Sequence, residues 1–349
     1  MARLHEYTKG SPRVQQPLLL IQSSPSQSGV PLLRYIITES SRSKSDCHCL
    51  LFCLLYRVSD FIEGFPNEHI TTHDWTGYVP EYSEPFDVRQ QILRAVQDAP
   101  FSSLTVAIDS VDALSQDIGE LPSTVKFIHT LIGLLLDQQH STPSQLLLHI
   151  HQSTELASFL TQVSLSSSLV HMTVHPPALF IHLATEYLMP PPPSTAESKF
   201  WSVFLPIRDR GSESIRLVYG NEGEGSGSPN ELVVELVVRG SDASTRRRDV
   251  HRLLEGWSIA AKTPCELVNM ESLKQVCRKP VEEAAVDVSH NVTFNLELTS
   301  AQQETRAQVP LPYVQQGKTT SASITSVILY DPDSADDIDD DDPDEDLDI

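Results

Sequence analysis

The chain has 349 residues, 40% of them apolar, with 24 prolines, five cysteines and a formal net charge of −22. That is enough apolar material for a real core in part of the chain, while the prolines, serine runs and acidity point to irregular insertions and tails around it. The charge excludes an isolated, strongly basic nucleic-acid binder, the odd and scattered cysteines exclude a disulfide framework, and no run approaches the roughly 18 apolar residues of a membrane span. A soluble protein of a reducing compartment, with no membrane association, is the expectation.

Residues 1–16 read as a lead-in and Pro17 to Gln22 as a first strand. Gly29 to Ser40 places Leu32, Leu33, Ile36 and Ile37 on one helix face. Cys49 to Val58 reads as a second buried strand, and Phe86 to Val96 as a helix ended by Pro100. Leu104 to Asp109 is the clearest strand, because a continuous apolar run fits a sheet covered on both faces. Leu121 to Leu136 is a helix with Pro122 in its first turn, and Leu146 to Ile150 and Leu169 to Val174 are further strands. Strands and helices alternating in this way are the signature of a parallel sheet. Pro176 and Pro177 precede a short helical piece, Ala178 to Leu188, and residues 190–193 form a stiff proline loop. Phe200 to Leu205, Ile215 to Tyr219, Glu231 to Arg239 and Leu253 to Ala260 read as strands, with a glycine-rich loop at 220–230. Residues 263–289 lack a clear pattern and are expected to be irregular, Val292 to Leu298 alternates like a half-buried strand, and Ile324 to Tyr330 reads as extended. The organisation is a lead-in (1–16), an α/β domain (17–261), an extended docking segment (262–330) and a tail (331–349) with twelve acidic and no basic side chains.

Asp109 closes its strand where a P-loop nucleotidase keeps a Mg²⁺-binding carboxylate. The phosphate cradle that should accompany it would be SSPSQSG, Ser23 to Gly29, which has one glycine, a proline and no lysine. Such a turn cannot build a nest of N–H groups capped by an ammonium, so Ser23, Ser28, Gly29 and Asp109 mark a degenerate nucleotide site. Asp109, Ser110 and Asp112 read as a structural strand end, and Cys47, His48, Cys49 and Cys53 as core residues of one strand in preference to zinc ligands. His149, His151, His171 and His175 fall at the ends of strands read as neighbours, and satisfied polar groups are the expectation there. Nothing nominates a catalytic nucleophile, a metal or a cofactor. Arg246, Arg247 and Arg248, flanked by Arg239 and Arg252, are the densest positive patch, either a solvated surface or a phosphate-backbone contact; Lys274, Arg278 and Lys279 are a weaker second. Ile338, Leu347 and Ile349 punctuate the acid tail as in a peptide that docks on a basic groove.

The stretch VTFNLELTSAQQETRAQVPLPY (Val292 to Tyr313), followed by Tyr330 with Asp-Pro-Asp and a terminal DPDEDLDI, resembles the C-terminal region of the family of fifth Elongator subunits. The resemblance implies a RecA-like fold without a working P-loop, assembled with the fourth and sixth Elongator subunits into a hetero-hexameric ring. That ring binds tRNA and joins the remaining Elongator subunits, whose catalytic part modifies the wobble uridine. The subunit would itself be non-catalytic, in cytoplasm and nucleus. In this reading Arg246, Arg247 and Arg248 are tRNA-contact candidates, and Val292, Phe294, Leu296, Leu298, Tyr313, Tyr330, Leu347 and Ile349 dock a neighbouring subunit. The loops at 190–193 and 220–230 match no motif of the family. Two other readings stand beside it: a divergent P-loop-type NTPase using Asp109, with its lysine from a neighbour, and a stand-alone acidic interaction adaptor.

Overall fold

The computed structural model describes residues 4–8, 17–43, 47–62, 69–78, 87–99, 103–137, 144–151, 154–220, 230–241, 248–277, 301, 304 and 305. The chain divides into two units, 1–281 and 282–349. In the second, the described residues Ala301, Glu304 and Thr305 are helical, with the Thr305 hydroxyl donating to the Ala301 carbonyl at 2.7 Å.

The first unit is built on a nine-stranded sheet: β1 (Leu18–Gln22), β2 (Cys47–Cys53), β3 (Ile70–Asp74), β4 (Ser103–Ile108), β5 (Gln145–Ile150), β6 (Leu169–His175), β7 (Glu231–Ser241), β8 (Arg248–Ser258) and β9 (Thr263–Cys265). Their spatial order is β3-β2-β4-β5-β1-β6-β7-β8-β9. The first six are mutually parallel, and β7, β8 and β9 extend the sheet antiparallel from β6. Mostly parallel and flanked by helices, this is the mixed α/β architecture expected from the alternation of elements. The runs in β2 and β4 are buried at every position because both faces are covered.

The helices are α1 (Leu4–Thr8), α2 (Val30–Ser43), α3 (Val88–Gln97), α4 (Val111–Ile118), α5 (Leu121–Asp137), α6 (Thr154–Leu160), α7 (Pro177–Glu186), α8 (Glu197–Arg208), α9 (Gly211–Tyr219) and α10 (Lys274–Cys277). Leu4 of α1 and Leu32, Leu33, Ile36 and Ile37 of α2 cover one face of the sheet, against Leu19, Ile21, Val170 and Trp257. Ile92 and Val96 of α3, Leu114 of α4, Ile128 and Leu131 of α5 and Leu160 of α6 cover the other, against Leu18, Leu20, Val106 and Leu148. No helix among the described residues is long and apolar enough to cross a membrane.

The structure departs from the sequence reading in several places: the strand read as Cys49 to Val58 runs from Cys47 to Cys53, because the chain turns at Leu54 to Tyr56 around Asp109, and β3 was not anticipated. Phe200 to Leu205 and Ile215 to Tyr219 are not strands but parts of α8 and α9. Phe200, Phe204 and Ile207 recur at helical spacing, and all three are buried in a cluster with Phe180 and Val233. Residues 263–277 are not irregular: β9 pairs with β8, and Met270, Leu273 and Cys277 are buried in the same cluster, so the first unit runs on past residue 261. Finally, β1 separates β5 from β6, so His149 on β5 and His151 just after it are not neighbours of His171 and His175 on β6.

Candidate functional site

Parallel strands end together, so the C-terminal ends of β1, β2, β4 and β5 bring Ser23, Asp109 and the β5 histidines to one rim. The turn from Ser23 to Gly29 is closed by Ser24 and Gln27, which exchange backbone hydrogen bonds of 3.1 and 3.2 Å. Gly29 N–H donates to Ser23 Oγ at 2.8 Å, and Ser23 Oγ is also 2.8 Å from His149 Nε2. His149 Nδ1 lies 2.7 Å from the Asp109 carbonyl oxygen. A carbonyl only accepts, so Nδ1 carries the proton and Nε2 accepts from the Ser23 hydroxyl. Burial pushes His149 down to about 4, which keeps the ring neutral and a weak base. Gly29 is required here, because a Cβ would sit 2.9 Å from Ile21 Cγ2 and 3.2 Å from Ser23 Oγ. Val30 N–H, at the head of α2, points to Ser28 Oγ at 3.3 Å. The amides that would cradle a phosphate thus donate to the chain's own hydroxyls.

Asp109 is fully buried. Its Oδ1 accepts from Leu54 N–H at 2.8 Å, and its Oδ2 from Leu55 N–H at 2.9 Å and Tyr56 N–H at 2.7 Å. Burial pushes its carboxyl up, against the pull of these three amides. The carboxylate is therefore a cap for the turn after β2, with both oxygens in use. Asp112 instead faces His151, accepting from its backbone N–H at 2.6 Å with Nδ1 at 3.3 Å. Burial raises the Asp112 carboxyl, but the His151 contacts outweigh it and hold it below its ordinary value. The Tyr56 hydroxyl sits 2.8 Å from His151 Nε2, and the His149 and His151 rings meet edge to face at 4.7 Å. This rim is a satisfied polar network in which Ser23 has a base partner but is itself buried.

All four residues assigned to the degenerate nucleotide site, Ser23, Ser28, Gly29 and Asp109, meet in this network or border it. Cys47, Cys49 and Cys53 are buried along β2, and His48 Nε2 pairs with Thr71 Oγ1 at 2.8 Å. Arg248 opens β8 opposite Ser241, while Arg246 and Arg247 lie outside the described residues. So do Val292, Phe294, Leu296, Leu298, Tyr313, Tyr330, Leu347 and Ile349.

A second cluster was not foreseen. Glu235 of β7, 1% exposed, takes two contacts from Arg208 Nη1 at 2.9 and 3.0 Å, one from His175 Nε2 at 3.0 Å and one from Arg252 Nε at 3.4 Å. Burial alone would raise its carboxyl; His175 and Arg208 bring it down to about 2. The signal was present in ELVVELVVR, since a charge inside an apolar strand must find partners.

Residues 11–331 match the family profile described as Elongator subunit Iki1. A 76-residue segment is 38% identical to Elongator complex protein 5 of Danio rerio, covering 20% of this chain and 26% of that protein. The human protein of the same name is 39% identical over 71 residues, 18% of this chain and 24% of that one. The matched segments thus span about a quarter of these curated relatives. Among solved structures, a KaiC-like protein from the archaeon Pyrococcus horikoshii OT3 aligns with 71% of this chain and 88% of its own at 11% identity and a TM-score of 0.38. With nearly the whole length of the chain inside the profile, this protein belongs to the Elongator subunit Iki1 family.

Proposed function

We propose that this chain is a structural, non-catalytic subunit of Elongator, one position in a hetero-hexameric ring of RecA-like units with the fourth and sixth subunits. Through that ring it supports tRNA binding and wobble uridine modification by the remaining subunits, in cytoplasm and nucleus. The observation that carries the reading, beside family membership, is the phosphate turn filled from within. Ser23 Oγ takes the amide of Gly29, and both Asp109 oxygens are held by the Leu54, Leu55 and Tyr56 amides, so these groups bind the chain to itself where a nucleotidase would bind phosphate and Mg²⁺. A subunit retained for its surfaces needs only the frame.

The test is co-expression with the fourth and sixth subunits, the full chain against one stopped after Ser289, and mass determination of the product. A closed hexamer from the full chain and none from the shortened one supports the ring and places the docking surface after Ser289. Failure of the full chain to join either partner overturns the reading.

A further inference from the structure

Residues two apart on a strand share a face, so Val234, Leu236 and Val238 of β7 face the α2 side while Glu235, Val237 and Arg239 face the other. On that other face α6 packs beside β5 and β1, and α8 packs over Val233. Between them a cavity of about 690 Å³ is floored by His171, Glu235 and Arg252 and bordered by the Ser23 turn and the start of α9. Three arginines line it, Arg208, Arg239 and Arg252, against two acids, Glu235 and Asp209. In a chain of net charge −22, that is a local excess of cation.

The three guanidinium groups are not equally engaged. Arg239 donates to the carbonyls of Thr161, Gln162 and Ser166 at 2.6–3.3 Å, tying the end of α6 to the sheet. Arg208 is held between Glu235 and Asp209. Arg252 reaches Glu235 only through Nε, at 3.4 Å, and lies 5.5 Å over the Trp201 ring. Its Nη groups make no hydrogen bond among the described residues. Two further donors border the same space. Ser24 Oγ is buried without a hydrogen-bond partner, and α9 starts at Gly211 with no side-chain cap and only the Glu213 amide turned back to the Arg210 carbonyl, which sets the Gly211 end and the positive end of its dipole at the cavity wall. A fixed, stacked guanidinium with unused Nη donors, an idle hydroxyl and a helix start all call for oxygen acceptors carrying negative charge. The volume is that of a pocket for an organic molecule, well beyond a bare ion.

We propose that this cavity binds a small organic oxyanion, a phosphate- or carboxylate-bearing molecule, with the Arg252 Nη groups as its main charge contact. The site adjoins the closed turn through Ser24 without opening it: Ser23 stays paired with His149, and the ligand lies against β6, β7 and β8.

Calorimetric titration of the full chain with adenosine monophosphate and with citrate, at low salt and neutral pH, tests this. Saturable one-to-one binding of at least one probe is expected, and which one binds separates phosphate from carboxylate. Arg252→Ala should weaken it about tenfold or more, the loss of one charge-assisted pair, while Arg94→Ala on distant α3 should not. Should Arg252→Ala fail to fold, Val250→Glu places a like charge at the exposed rim of the cavity and should abolish binding with the core intact. Absence of saturation by either probe at millimolar concentration overturns the proposal. So does binding that survives both changes.

Discussion

Asp109 stands where a nucleotidase keeps its metal ligand, yet three amides of the turn after β2 hold both its oxygens. Asp109→Asn replaces one of those acceptors with a donor that opposes a buried N–H. It should cost ~2–3 kcal/mol, seen as a lower denaturant midpoint, and an unchanged midpoint would remove the capping role. Protonation gives a second handle. His149 has its ordinary value of 6.5 in the unfolded chain and about 4 when folded, so the unfolded state binds more protons between these values. Its contribution is complete above pH 6.5 and is lost as pH falls toward 4, on the order of 3 kcal/mol in all. Glu235, brought down to about 2, adds a loss in the same direction at lower pH, below its ordinary 4.5. Unfolding followed from pH 7 to 4 should show the first slope, and His149→Gln should reduce it without removing it, because burial holds His171 down to about 4 as well. The positions of Ser23, Gly29 and Asp109 were legible because strand ends are legible. The pairing of Ser23 with His149 was not, since it depends on β1 lying against β5, with Ile21 beside His149, a contact between residues far apart in sequence.

At the scale of elements, legibility followed coverage. β1, β4 and β5 carry mostly apolar runs because both their faces are buried, and α5 shows its periodicity over seventeen residues. β3 left no such trace: Ile70 is buried, but Thr71, Thr72, His73 and Asp74 are not, as suits an edge strand. α8 misled because its run of Phe, Trp and Val has the composition of a strand, and composition cannot separate a short strand from a buried helix. α4 is announced only locally, by Ser110 capping Ala113 N–H at 3.1 Å and Gly119 closing it at φ 84°. The packing of the last elements on β8 is tight enough to predict from. A Cβ on Gly256 would lie 2.5 Å from Met270 Sδ and 2.9 Å from Cys265 Sγ. Gly256→Ala should therefore destabilise by about 1–3 kcal/mol through overpacking. The penalty should shrink in a Met270→Ala background, and a double-mutant cycle without coupling would contradict the packing described.

For the whole molecule, the acidity of the chain and the arginines of the β7–β8 connection pull in opposite directions. If Arg246, Arg247 and Arg248 meet tRNA in the assembled ring, changing all three to Gln should weaken tRNA binding for all sequences alike. It should also shallow the salt dependence, by about 0.7 per contact for single-stranded backbone and somewhat more for duplex; an unaltered slope would leave them as solvated surface. The α/β body was legible in outline from its alternating elements. The elements after residue 261 were not legible because Met270, Leu273 and Cys277 have no neighbours in sequence that reveal where they are buried. One side of the sheet is finished by β3, but on the other only Gly256, Trp257 and Ser258 of β8 are bonded to β9. β3 and the three-residue β9 stand at the two ends of the sheet order. Such a margin is a ready template for any extended peptide, and templating is bimolecular. The shelf life of the purified chain should accordingly be governed by how concentrated it is kept, and a dilute sample should outlast a warmer or cooler one held at high concentration.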